Sequence, residues 1–307
     1  MERQDVAEIR ALIARHKRWD VIFGLIGILC LAIGLLTFAT LFVDMLLDGY
    51  TRLKPEFFTE FPSRRAGQAG ILSAWIGTVM VMIVTAVVAV PIGVAAGIYL
   101  EEYAPSNWMT DVIEINISNL AGVPSIVYGL LALGMFVHTL GLGASIRTAG
   151  LTLALLILPI VIVATREAIR AIPGSIREAA YALGATRWQL VRHHVLPYSL
   201  PGILTGVIIG LSRAIGETAP IITIGAVSFI AFLPPAPVQP AFPWLSFEWL
   251  ASPFTAMPIQ IFGWTSRPEA AFQANASAAA LVLVAMTLVM NAIAIWLRYR
   301  LRRNLSW

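Results

Sequence analysis

The sequence predicts an all-α membrane protein with six transmembrane helices. Of its 307 residues, 58% are hydrophobic and 12% charged, whereas about a quarter are charged in a soluble domain. Mean hydropathy is +0.80, and several uncharged runs reach the roughly 20 residues that cross a bilayer. The basic residues cluster at the ends of those runs. The net charge of +4 therefore points to the membrane surface and its lipid, and not to nucleic acid.

Residues 1–20 are charged, with Val6, Ile9 and Ile13 on one helical face among Arg3, Arg10, Arg15, Lys17 and Arg18. This predicts an N-terminal helix lying on the cytoplasmic leaflet. A six-span domain follows over 21–300. Its first span is Val21–Val43, too long for the apolar part of a signal peptide. A polar loop at 44–65 precedes the uncharged run Ala66–Leu100, whose start reads as a loop or interfacial segment and where Pro91 is a candidate kink. Glu101, Glu102, Asp111 and Glu114 mark an acidic turn. The third span is Ile115–Val137, interrupted by Ala121-Gly-Val-Pro-Ser125, and the fourth is about Thr148–Thr165. The fifth runs from Tyr198 to about Phe232. A connection at 233–276 holds Pro234, Pro235, Pro237, Pro240, Pro243 and Pro253, too many for continuous helix. The sixth span is about Ser277–Leu297, with a tail at 301–307. With the N-terminus inside, the inner segments hold 14 of the 21 Lys and Arg and the outer loops 6. This bias predicts that both termini are cytoplasmic and that the 233–276 connection is periplasmic.

Several chemistries are excluded. A P-loop needs Gly-Lys-Ser or Gly-Lys-Thr, and the only lysines are Lys17, before Arg18, and Lys54, before Pro55. ATP hydrolysis, if used, must come from another chain. One cysteine, Cys30, allows no internal disulfide, and the four histidines have no metal-ligand spacing with it.

A charged island, 175–197, interrupts the apolar chain. Ser175 and Glu178 have the spacing of a capping box, and Ile176, Ala179, Ala180 and Leu183 form one apolar stripe. Gly184 is placed to end this helix in a left-handed conformation. Thr186 and Gln189 form a second capping box, and Leu196-Pro197 is expected to stop the second helix. Glu178-Ala179-Ala180, Gly184 and Leu196-Pro197 resemble the EAA-x3-G-x9-I-x-LP pattern of the inner-membrane permeases of binding-protein-dependent ABC importers, with His194 in place of Ile. The resemblance implies that this island is a pair of coupling helices that dock on a cytoplasmic ATPase. Glu178, Ala179, Ala180, Gly184, Arg187, Trp188, Leu196 and Pro197 would carry that role. Arg177, Arg187 and Arg192 would supply charge, and Leu183 and Trp188 apolar anchors. The structural alternative is an ordinary amphipathic loop with capped helices.

The second constellation is Ser212-Arg-Ala-Ile-Gly-Glu-Thr-Ala-Pro220. Charge within a span costs roughly 2.5–3.5 kcal/mol for an arginine. Arg213 and Glu217 are four residues apart and share a helix face. Gly216 and Pro220 would let the helix open there. A buried structural ion pair is one reading. The other is a pathway-lining pair, because the planar guanidinium fork suits a tetrahedral oxyanion. A helix restarting at Pro124 would turn free N–H groups and the Ser125 hydroxyl toward an anion, though a plain proline kink also explains it. The stretch 213–220 resembles the fifth-span signature of phosphate importer permeases, as do 119–129, 257–262 and 275–281. Together they resemble the PstA-type permease subunits of that family over nearly the whole transmembrane part.

The resemblance implies the MetI-like fold of ABC importer permeases, a location in the bacterial inner (plasma) membrane, and import of phosphate by alternating access without bond chemistry on this chain. Arg213, Glu217, Thr218 and Ser125 would line the substrate pathway. It implies a heterodimer with a homologous permease chain, two copies of a cytoplasmic ATPase, and a periplasmic phosphate-binding protein. No cofactor is expected on this chain, and ATP and Mg belong to the partner ATPase. Alternatives are a permease for molybdate or sulfate, an ion-coupled secondary transporter in which Arg213 and Glu217 relay ions, and a sensor or scaffold without transport.

Overall fold

A computed structural model describes residues 2–239 and 244–303. Among these, the chain is helical and has no named strand. Five helices are long and apolar enough to cross a membrane, and a bent pair makes a sixth crossing if counted as one span. Pro240, Pro243 and residues 304–307 lie outside the described residues, and the expected apolar face at Val6, Ile9 and Ile13 lies outside the described side chains.

Helix α1 spans Glu2–Gly49 without a break. The sequence suggested an interfacial helix and then a span. Here 48 residues form one helix of about 72 Å at 1.5 Å per residue, because no Gly-Pro or turn signal separates the charged and apolar parts. The short α2 (Pro55–Thr59) follows. Helix α3 (Leu72–Ile98) passes through Pro91 and ends in a widened turn, Tyr99–Tyr103. The third span differs from expectation. Helices α4 (Trp108–Leu120) and α5 (Ser125–Ala132, continuing as wide turns to Thr139) are bent by 105° at the break before Pro124. Pro124 has no N–H and disfavours helix at Val123. Asn107 caps α4 by accepting from the Thr110 N–H, so α4 starts well before Ile115 despite Asp111 and Glu114.

Helix α6 (Ile146–Arg170) is the most buried span and packs between α3 and α9 (Leu196–Gly216). Small residues set these approaches. Gly93 and Gly97 of α3 meet Val161 and Thr165, and Gly202 and Gly206 of α9 meet Ala168 and Ala164. Such residues let helix backbones come close where hydrophobic exclusion gives no drive. Thr85 donates to the Val81 carbonyl and also reaches Gly150 O across the α3–α6 seam at 3.3 Å, which satisfies a fully buried hydroxyl. A Cβ at Gly206 would overlap that of Ala164. Gly206→Leu should therefore cost about 3 kcal/mol and lower the thermal midpoint in detergent by about 6–12 °C. Gly27→Leu, where nothing lies within 4 Å, should leave the midpoint unchanged.

The remaining helices are α7 (Gly174–Ala182), α8 (Arg187–Leu190), α10 (Ala219–Thr223), α11 (Met257–Thr265) and α12 (Ala270–Arg303). At one end of the bundle α2, α11 and α12 enclose Phe57, Trp264 and Phe272. Arg52 closes this end. Its guanidinium donates to Asn275 Oδ1 at 2.6 Å and to the carbonyls of Ala66, Gly67 and Ala69. The Met257 N–H donates to Thr78 Oγ1 at 2.8 Å. The stretches 257–262 and 275–281 thus serve packing.

Candidate translocation and coupling sites

Arg213 lies in the last turn of α9, which ends at Gly216. Glu217 is already extended, at φ −75° and ψ 127°, and α10 restarts at Ala219 with Pro220 in its first turn. The expected opening at Gly216 and Pro220 is present, but the expected span to Phe232 is not. Gly225 at φ +94° turns the chain away after α10, and the prolines that follow cannot restore the helix.

Arg213 Nε donates to Glu217 Oε1 at 3.3 Å, a long single contact. The Arg213 side chain is 39% exposed and that of Glu217 19%. Neither terminal guanidinium nitrogen of Arg213 has a hydrogen-bond partner among the described residues. Arg52 and Arg177 differ, since each guanidinium makes four hydrogen bonds. A structural arginine spends its donors, whereas Arg213 keeps two nitrogens uncommitted.

Ser125 opens α5, and its helix is brought to the same break by close packing on α10. Gly129 makes this possible, because its missing Cβ leaves room for Pro220 and Thr223. The Tyr128 hydroxyl donates to Leu120 O at 2.8 Å and so straps α5 to the end of α4, where a helix leaves carbonyls without partners. Thr218 caps α10, with its carbonyl accepting from Ile221 and Ile222. The side chains of Ser125 and Thr218 are half-buried and make no hydrogen bond among the described residues. Arg213 and Glu217 are hydrogen-bonded to each other, Thr218 follows Glu217 directly in the chain, and Ser125 belongs to α5, which packs on α10 at the break.

The island 175–197 folds as α7, a tight bend and α8. Ala185 N–H reaches Ala180 O, Gly184 N–H reaches Tyr181 O, and Gly184 sits at φ +80°. This is a Schellman ending, which needs the left-handed residue. The Thr186–Gln189 capping box is formed in both directions. The Ser175–Glu178 box is not. Pro173 takes the N-cap position and α7 starts at Gly174, so Ser175 lies inside the first turn. Leu196-Pro197 does not stop the second helix. A widened turn at Val191–Val195 carries the chain directly into α9, and a wide turn relieves the clash that a proline ring makes with the preceding turn.

Glu178, Ala179, Gly184, Arg187 and Trp188 are exposed, as is Leu183. Ala180 faces inward against Ile169, Ile172, Leu190 and Val195. Leu196 and Pro197 are half-buried within the bundle. Arg177, expected as an outward charge, is turned inward to Glu102 at 2.8 Å. Sequence reading took Glu101 and Glu102 only as part of an acidic turn and gave Arg166 no role. The adjacent acids 101–102 and the arginines at 166, 170 and 177 were visible signals, but nothing in the sequence pairs groups about 70 residues apart.

Residues 89–307 match the family described as the binding-protein-dependent transport system inner membrane component. A probable ABC transporter permease protein, YqgI of Bacillus subtilis (strain 168), is 33% identical over 299 residues, covering 92% of this chain and 96% of that protein. A phosphate transport system permease protein, PstA 1 of Mycobacterium tuberculosis (strain CDC 1551 / Oshkosh), is 32% identical over 238 residues, 78% of this chain and 73% of its own. Among solved structures, a bacterial alginate ABC transporter in complex with an alginate pentasaccharide-bound periplasmic protein aligns with a TM-score of 0.57 at 14% identity. It covers 82% of this chain and 85% of that one, and supports the fold.

Proposed function

Since the chain belongs to the binding-protein-dependent transport system inner membrane components, and is therefore an ABC importer permease subunit, we propose that its substrate is inorganic phosphate. It forms half of the pathway beside a homologous permease chain. The complex holds two ATPase copies, one of which docks on α7 and α8 of this chain, a binding protein delivers phosphate at the opposite face, and both termini are cytoplasmic. Relatives named as phosphate permeases support the substrate, and the Lys/Arg bias supports the orientation.

The observation that carries this reading is Arg213. Its Nε is held loosely by Glu217 while both terminal nitrogens stay uncommitted at the break between α9 and α10. A guanidinium fork makes paired, charge-assisted hydrogen bonds to a tetrahedral oxyanion. Glu217 orients the fork and, by like-charge repulsion, weakens anion binding so that phosphate leaves again. The hydroxyls of Ser125 and Thr218 add neutral donors. Transport needs this moderation, because a site that binds too tightly conducts nothing.

The test is ATP-driven uptake in proteoliposomes holding this chain, its permease partner, the ATPase and the binding protein. Radiolabelled phosphate should enter only with ATP and ATPase present, and excess sulfate or molybdate should not compete. Uptake that survives removal of the ATPase would make the chain a secondary transporter. Competition by sulfate or molybdate would reassign the substrate.

A further inference from the structure

Helix α6 ends at Arg170 and α7 begins at Gly174, joined by Ala171, Ile172 and Pro173. Nothing lies within 4 Å of a Cβ built at Gly174. Covalently this joint is a hinge between α6 and α7, so a push on α7 reaches α6 only through contacts made across it. One side chain spans the hinge. Arg177 reaches back from α7 and donates to Ile169 O at 3.1 Å and Ile172 O at 3.0 Å. These carbonyls lie where α6 ends, and that of Ile169 also accepts from the Ile172 N–H at 3.1 Å. The same guanidinium donates from Nε at 3.1 Å and from a terminal nitrogen at 2.8 Å to Glu102 Oε1, in the widened turn that ends α3. Glu102 is 8% exposed and Arg177 24%, so this is not a solvated surface pair of little consequence.

The surroundings reinforce the tie. Glu101 accepts two bonds from Arg170, at 3.0 and 3.1 Å, and lies 3.5 Å from the buried Arg166, which also pairs with Glu114 of α4. Ala180 of α7 packs into the apolar cluster of Ile169, Ile172, Leu190 and Val195. From the ends of α3 and α6, close helix packing continues to α9, which carries Arg213.

We propose that Arg177 and Glu102 are the positioning pair of the coupling element. They lock the 171–173 hinge, so that movement imposed on α7 displaces α3 and α6 together. The inference rests on the docking role proposed above for α7 and α8. It adds that Arg177 is not an ATPase contact but the internal strut behind the docking face.

The experiment uses the complete transporter in proteoliposomes and reads phosphate imported per ATP hydrolysed. Arg177→Gln and Glu102→Gln should each lower that ratio about tenfold while the ATPase still copurifies and still hydrolyses ATP. The double substitution should be no worse than either single one. A second measurement rebuilds the strut. In a chain carrying Cys30→Ser, which removes the only native thiol, the pair Glu102→Cys and Arg177→Cys should lose coupling and regain most of it with a short bis-thiosulfonate cross-linker. If Arg177→Gln does not accumulate, Arg177→Lys keeps the charge without the fork and should still lower the ratio. An unchanged ratio in these variants overturns the proposal, as does loss of ATPase binding, which would make Arg177 a docking residue. Leu183→Asp, on the exposed docking face, serves as the contrast. If it leaves ATPase binding intact, the docking role fails and this proposal with it. If it abolishes binding while Arg177→Gln leaves the ratio unchanged, only the strut fails.

Discussion

Arg213→Gln should reduce phosphate uptake about 30-fold, equivalent to about 2 kcal/mol, while the chain still inserts and still assembles with its ATPase. Glutamine keeps polar donors at the position but removes the charge and the planar fork. Because Arg213 is 39% exposed and its contact with Glu217 is one bond at 3.3 Å, little folding energy depends on the pair. The loss should therefore appear in transport and not in the thermal midpoint. Arg213→Lys keeps the charge as a compact ammonium and should fall between the two. The measurement is initial uptake rate against phosphate concentration, with the detergent melting curve as control. Unaltered uptake in a well-folded Arg213→Gln chain would remove Arg213 from the pathway.

Gly129→Ala should show the opposite signature, with stability and transport lost together. A single added Cβ would overlap Thr223 Oγ1 and lie 2.7 Å from Pro220 Cα. The second obstacle is backbone, which no side-chain rotation relieves. Helices α5 and α10 must separate, at a cost of about 1–3 kcal/mol. The break that presents Arg213 and Glu217 then loses its support. Gly134→Ala lies on the same stretch with nothing within 4 Å and should melt and transport like the parent chain. Equal behaviour of the two alanine variants would show that the α5–α10 contact does not shape the site.

These expectations draw unequally on sequence and structure. The apolar runs were legible because a bilayer imposes a length on each one. The Gly184 bend and the Thr186 cap were legible because their causes are local. Legibility failed wherever a local signal had two structural answers. Pro124 reads equally as a kink or as a 105° turn, and packing of α5 on α10 decides it. Pro197 reads as a stop, yet the widened turn at Val191–Val195 absorbs it. Arg177 reads as surface charge, and only the fold brings Glu102 beneath it. The uncommitted nitrogens of Arg213 follow from the fold as well, since the sequence shows the pair but not what else surrounds it.

The Arg52 clamp has a further consequence. Asn275-Ala-Ser277 has the pattern of a carbohydrate acceptor. In the folded chain Asn275 is fully buried, its Oδ1 accepts from Arg52, and its Nδ2 donates to Ala66 O at 2.9 Å. The nitrogen that a sugar would take is already occupied. In a glycosylating expression host, sugar at Asn275 would mark only molecules met by the transferase before segment 66–69 closed over α12. Its occupancy would act as a clock for the order in which this end of the bundle assembles.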